Sequence, residues 1–312
     1  MTKEDLTAKY FTQNQMDTNV LPAAKTWAFV ALPKRGKTSG IARFNRSGDM
    51  SKTIFLDFEN CVLHYPQFKG LNVMNINSYS TPKRPVLDDN GKTVLVDGKP
   101  KMESVPLLER GFHVNGIDTP VYSVMEVLAI LNAIDQQGGL KDYESIAVDT
   151  VDILQSLVEE HVIQEYNTKE KTNCLSIGDI GEYGSGWDQS KKIVIGVILE
   201  LKKLCEKNNL ELCLSIHSKT TTQIKGKTQR DPALRAGTTL SLFGHCAAIA
   251  YVDREYTDKK DGDDDGTVYK GQQYTISFMS SSEELTGGTR FQKLVGETVP
   301  FSYKLVKQKY EE

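Results

Sequence analysis

The apolar run Trp27-Ala28-Phe29-Val30, followed at once by Ala31-Leu32-Pro33-Lys34-Arg35-Gly36-Lys37-Thr38, constrains this chain more than any other stretch. Together with the amphipathic stretch Ser39 to Phe44 it reads as strand, tight loop and helix. The loop matches the phosphate-cradling pattern G-x-x-x-x-G-K-[ST] at Gly36, Lys37 and Thr38, with Ala31 standing where the first glycine would be. Gly36 lets the backbone curl so that successive N–H groups face an anion. Lys37 is then placed to reach the β and γ phosphates and Thr38 to ligate Mg²⁺. The helix that starts here adds the positive end of its dipole. Pro33, Lys34, Arg35 and Ser39 complete the candidate nucleotide-binding set around Gly36, Lys37 and Thr38.

Charge narrows the choice of partners. With 38 Lys and Arg against 41 Asp and Glu, the formal net charge is -3, so any surface that binds a polyanion must be local. No apolar run approaches the roughly 18 residues of a membrane span, and the first residues lack the apolar core of a signal peptide. Five scattered cysteines without a C-x-x-C pair read as reduced thiols of a cytosolic protein.

Residues 1–23 read as an N-terminal arm, 24–305 as the core and 306–312 as a C-terminal tail. After the loop helix, Thr53-Ile54-Phe55-Leu56-Asp57-Phe58-Glu59 is a strand that ends in two carboxylates. In open α/β sheets ligands sit beyond the carboxyl ends of the strands. Glu59 is thus a candidate to activate water, while the alternative is that these acids cap the next turn. Asp89-Asn90-Gly91 and Asp97-Gly98 flank a short β segment, so a surface hairpin insertion is expected over about 82–109. A helix with Val124, Leu128, Leu131 and Ile134 on one stripe follows.

Tyr143 to Thr150 then reads as a buried parallel strand ending in Asp149, a candidate Mg²⁺-side carboxylate with a helix N-cap as the alternative. Next come a helix, a glycine-rich loop from Asn167 to Gly186, and a second helix from Trp187 to Lys207. The strand Leu210 to Ile216 ends in His217, which is either a γ-phosphate contact or a hydrogen-bonded spacer. Thr220 to Gly237 reads as a basic loop. Lys219, Lys225, Lys227, Arg230 and Arg235 are its candidate phosphate-backbone contacts. Antiparallel strands are expected to follow, joined by an acidic hairpin tip at about 257–267, and Arg290 stands near the end.

The ordered set Gly36-Lys37-Thr38, Asp57-Phe58-Glu59, Ile146-Ala147-Val148-Asp149-Thr150 and Ser215-Ile216-His217-Ser218-Lys219 resembles the phage P-loop ATPases of the RecA-like superfamily, which include phage single-strand annealing and recombination ATPases. The resemblance spans about Ala24 to Tyr303. It implies Glu59 as catalytic base, Asp149 with Thr38 at Mg²⁺, His217 as γ-phosphate sensor, and ATP as the nucleotide. It also implies that Asn167 to Gly186 and Lys219 to Gly237 face single-stranded DNA in a ring or filament of identical subunits. A neighbour would complete each ATP site, with Arg290 as the candidate residue acting in trans. A single-strand DNA-binding protein would be a working partner, and the cytoplasm of an infected bacterial host the location.

The expected fold is therefore α/β, a RecA-like P-loop NTPase core with a mainly parallel sheet between helices, an antiparallel β extension near the C-terminus and an inserted β-hairpin. The expected activity is Mg²⁺-dependent ATP hydrolysis coupled to single-stranded DNA. A nucleotide or small-molecule kinase, and a nucleotide-binding scaffold that does not hydrolyse, are the alternatives.

Overall fold

The computed structural model describes residues 21, 24–114, 117–182, 184–222, 228–260, 268–278 and 288–312. The core elements in chain order are β1 (Thr26–Ala31), α1 (Lys37–Ile41), β2 (Thr53–Asp57), β3 (Asn72–Ser78), β4 (Val121–Ser123), α2 (Val124–Gln136), β5 (Ser145–Asp149), α3 (Val151–Glu170), α4 (Ser185–Asn208) and β6 (Glu211–Thr222). They are followed by β7 (Thr228–Pro232), α5 (Ala236–His245), β8 (Ala248–Lys260), β9 (Val268–Ser277), β10 (Gly288–Thr289), β11 (Thr298–Pro300) and α6 (Tyr303–Glu311). These strands build one sheet of order β4-β3-β2-β5-β6-β1-β8-β9-β11, with β7 paired to β6 and β10 to β8. From β4 to β8 every neighbour along that path is parallel; β9, β10 and β11 add antiparallel pairings, as does β7.

Successive side chains of a strand point to opposite faces, and here both faces are covered. On one face Ala28, Val30, Ile54, Leu56, Ile146, Val148, Leu212 and Leu214 pack against helices α2 to α5. On the other Trp27, Phe29, Phe55, Ala147 and Cys213 meet α1, α6 and an aromatic cluster. That double burial is why β1 and β5 are continuous apolar runs in the sequence. In the cluster Phe44 lies 5.2 Å from Trp27, 4.8 Å from Phe29 and 5.5 Å from Tyr303 between ring centroids. Glu211, at the start of β6, ties this layer together by accepting hydrogen bonds from the N–H groups of Ala24 and Lys25, from Trp27 Nε1 and from the Tyr303 hydroxyl.

Several local expectations are corrected. The helix after the loop stops at Ile41, short of Phe44, where the chain turns and Phe44 joins the aromatic cluster. The loop expected from Asn167 is helical to Glu170, and α4 begins at Ser185, before Trp187. Among its described residues the basic segment expected as a loop is largely strand and helix: β6 runs on to Thr222, β7 pairs with it from Thr228, and α5 starts at Ala236. The last residues, expected as a tail, form α6 with Val306 and Tyr310 buried.

The insertion contains two short antiparallel pairs, Lys83–Pro85 with Met102–Ser104 and Leu95–Val96 with Lys99–Pro100. The N-terminal arm apart from Leu21 lies outside the described residues, as does the acidic tip from residue 261 to 267. Among the described residues no helix is long and apolar enough to cross a membrane.

Candidate nucleotide site

The parallel strands deliver their carboxyl ends to one edge, and the candidate residues stand there. Ala31, the last residue of β1, is in register with His217 on β6, and Asp149 at the end of β5 is in register with Asp57 at the end of β2. The loop after β1 is curled by positive φ at Lys34 (61°) and Gly36 (81°). Glycine takes up such a conformation without the steric strain a side chain brings. Space makes the same demand at Gly36, where a Cβ would lie 2.4 Å from the Tyr274 ring on β9. Arg254 of β8 donates to the Lys34 carbonyl at 3.0 Å, so the antiparallel extension holds the loop from outside.

Lys37 is buried, and its Nζ donates to the carbonyls of Ala31 and Leu32 at 3.2 and 3.3 Å. Burial lowers its pKa, while the negative charges of Asp149, Glu59 and Asp152 oppose the shift. The Thr38 hydroxyl donates to Asp149 Oδ2 at 2.7 Å. Asp149 is fully buried, which raises its pKa against the pull of Ser215, Thr38, Lys37 and His217. The peptide bond between Asp149 and Thr150 is cis. Thr150, rather than Asp149, occupies the N-cap of α3.

The two carboxylates at the end of β2 have separate duties. Asp57 accepts from the N–H groups of Glu59, Cys61 and Val62 at 3.1, 3.0 and 2.9 Å, so the capping alternative describes Asp57. Its burial and the Asp149 charge nonetheless push its pKa up to about 6. Glu59 is exposed as a residue, its side chain 30% accessible, with Oε1 3.3 Å from His217 Nε2. Burial and Asp149 raise its pKa, and His217 and Lys37 oppose them. His217 is held on its other side by Asp152, in the first turn of α3: Asp152 Oδ1 accepts from the His217 backbone N–H at 2.9 Å, and Oδ2 lies 2.8 Å from Nδ1. Burial pushes the Asp152 pKa up, but the two His217 contacts outweigh it and leave the carboxyl below its ordinary range.

Lys37, Thr38, Asp149, Glu59 and His217 are thus brought together, with Pro33, Lys34, Arg35 and Ser39 on the surrounding loop and helix start. Among the described basic candidates, Lys219 and Arg230 stand on the paired strands β6 and β7, and Arg235 and Arg290 lie on other segments. Lys219 is exposed on β6, and Arg230 on β7 pairs with Asp253 at 2.8 Å. Arg235 lies over the Trp187 ring, 3.0 Å from its centroid, and pairs with Glu159. Lys225 and Lys227 lie outside the described residues. Arg290 is exposed and donates to the Gly244 carbonyl at 2.6 Å.

Asp152, Arg254 and Tyr274 are absent from the sequence-derived set. Asp152 had a signal, a carboxylate three residues after the strand-terminal Asp149 and so in the first turn of α3. Arg254 and Tyr274 lie on strands with no local mark of a loop contact.

Two oxygen donors, the Thr38 hydroxyl and the Asp149 carboxylate, side by side beneath a curled loop with a buried lysine, suit a hard cation that keeps water and phosphate among its ligands. Among the described residues no cluster of three or more His, Cys, Asp or Glu is arranged to hold a metal ion. A search of curated proteins returned no match. Residues 24–291, a span that runs from the start of the core to Phe291 and includes every site residue above, match the AAA domain family. The chain belongs to the AAA domain family and is a P-loop ATPase by its family and its fold.

Proposed function

We propose that this chain is a Mg²⁺-dependent ATPase of the RecA-like type that acts on single-stranded DNA in phage recombination, annealing or repair. The observation that carries the reading is the pairing of Glu59 with His217 beside the Lys37, Thr38 and Asp149 group, on the strand that runs directly into the β6–β7 hairpin. Mg²⁺ with ATP would supply the reactive phosphoryl group and neutralise its oxygens. Lys37 and the loop amides hold the phosphates, and Thr38 and Asp149 hold the cation side. Glu59 orients a water molecule and takes its proton, and His217 reports the terminal phosphate. Positioning and charge stabilisation supply most of phosphoryl-transfer catalysis, so this small set suffices.

The route to DNA starts at His217, whose carbonyl accepts from Ala233 N–H at 2.6 Å just beyond β7. A shift of His217 on nucleotide binding would pull on the paired strands that carry Lys219 and Arg230, with Lys225 and Lys227 as the further proposed DNA contacts. A ring or filament of copies, with Arg290 reaching a neighbour's site and a single-strand DNA-binding protein as partner, completes the proposal, set in the cytoplasm of an infected bacterium.

The test is phosphate release from ATP and Mg²⁺ with and without single-stranded DNA, alongside Glu59→Gln and Lys37→Ala. Stimulation by DNA that both variants lose is the expected result. Wild-type turnover in Lys37→Ala would remove the loop assignment. Equal rates with and without DNA would turn the reading toward phosphoryl transfer to a small acceptor.

A further inference from the structure

We propose that Asp152 is a positioning residue, a carboxylate that fixes the tautomer of His217 and aims its ring at Glu59. The inference rests on the reading of Glu59 and His217 just given and adds the residue through which that pair is set. Both oxygens of Asp152 are spent on one residue of a different element: Oδ1 takes the His217 backbone N–H at 2.9 Å, and Oδ2 meets Nδ1 at 2.8 Å. An ionised carboxylate offers acceptors only, so the ring proton at that contact sits on Nδ1. The two contacts lock each other. The backbone N–H holds the carboxylate in place, and the carboxylate then prevents the imidazole from turning over.

Nε2 faces a second acceptor, Glu59 Oε1, at 3.3 Å, a longer contact than the 2.8 Å to Asp152, so the neutral ring keeps its one proton on the Asp152 side and the protonated ring donates to both carboxylates. An acid in the first turn of a helix also complements the helix dipole, but that role needs no paired contact with β6. His217 is gripped from the other side as well, through its carbonyl and Ala233 N–H. The residue can therefore move only by trading one of these partners, as expected of a group that senses a phosphate and passes the change to a hairpin.

Long-range proton–nitrogen NMR of the histidine rings in the full chain, at alkaline pH, tests the assignment, with the His217 signals identified by their loss in His217→Gln. In the wild type the proton is expected on Nδ1. In Asp152→Asn the amide oxygen stays on the backbone N–H, so the amide nitrogen turns toward Nδ1 and donates; the ring proton moves to Nε2. A wild-type ring protonated on Nε2 alone overturns the proposal whether or not Asp152→Asn folds, and an unchanged tautomer in Asp152→Asn overturns it as well.

In ATP hydrolysis, Asp152→Asn is expected to lower kcat about tenfold or more with KM altered less than about twofold. In a His217→Ala background the same change is expected to add less than about twofold, since the residue it acts through is gone. An equal loss in both backgrounds would sink the proposal. A wild type that hydrolyses no ATP, with the tautomer still governed by Asp152, would remove the ATPase reading and leave the Asp152 assignment standing.

Discussion

At the scale of single residues, the end of β2 shows how one short run of sequence divides two carboxylates between structure and chemistry. Asp57 is spent on three backbone N–H groups, whereas Glu59 stays accessible with one oxygen against His217. The pattern of an acid, a phenylalanine and an acid contains no hint of which is which. The difference comes from the turn at Asn60, whose positive φ of 53° folds Cys61 and Val62 back over Asp57. A pH dependence follows from the Asp57 environment. Its carboxyl is pushed up to about 6 in the folded chain from an ordinary 3.8, so the folded state binds the proton more tightly than the unfolded one. The stability this contributes is fully present below the unfolded value and is lost as pH rises through about 6. The loss amounts to a cost on the order of 3 kcal/mol for the group. Asp57→Asn has no such titration. Urea unfolding of both proteins from pH 4 to 7 should show the wild type losing stability relative to the variant across that window. Parallel curves would mean that the three N–H donors offset the burial.

At the scale of elements, legibility followed burial. β1, β5 and the first half of β6 are covered on both faces, and their apolar runs announced them. The polar half of β6, from Thr220 to Thr222, and its partner β7 form a two-stranded projection. Nothing there demanded an apolar face, so the segment read as a loop. Asp152 was overlooked for a related reason: on an amphipathic helix a charged residue reads as facing solvent, yet this one faces the end of β6. The demand for glycine within α1 was unreadable locally because it is set from far along the chain. A Cβ on Gly40 would lie 2.1 Å from the Phe301 ring, which itself packs 4.7 Å from Phe29 between centroids. Gly40→Ala is therefore expected to destabilise by about 1–3 kcal/mol through overpacking, despite alanine's higher helix propensity. Adding Phe301→Ala should cost clearly less in the Gly40→Ala background than in the wild type, because the room it opens is then used. Strict additivity in denaturant unfolding would mean that the helix end relaxes around the methyl group without engaging Phe301.

At the scale of the whole molecule, a net charge of -3 conceals a concentration of acid at one edge of the sheet. Asp57, Asp149, Asp152 and Glu59 converge there, drawn from β2, β5, the first turn of α3 and the segment after β2, with Lys37 and His217 as the opposing groups. Burial raises the pKa of Asp57, Glu59 and Asp149, and the Asp149 charge adds to the shift at Asp57 and Glu59. A divalent ion, for which Thr38 and Asp149 would be the protein ligands, would supply positive charge where these carboxylates crowd. Thermal melting reads this directly. At about a hundred times the dissociation constant, a ligand selective for the folded state contributes roughly 2.7 kcal/mol, or a shift of roughly 4 °C for a chain of this size. ATP with Mg²⁺ should reach that shift and ATP with a chelator should fall well short of it. Thr38→Val, which keeps the side chain's shape but removes the hydroxyl, should abolish the difference between the two. A shift equal with and without Mg²⁺ in the wild type would mean that the cation does not enter through Thr38 and Asp149, and that Lys37 and the loop amides alone hold the nucleotide.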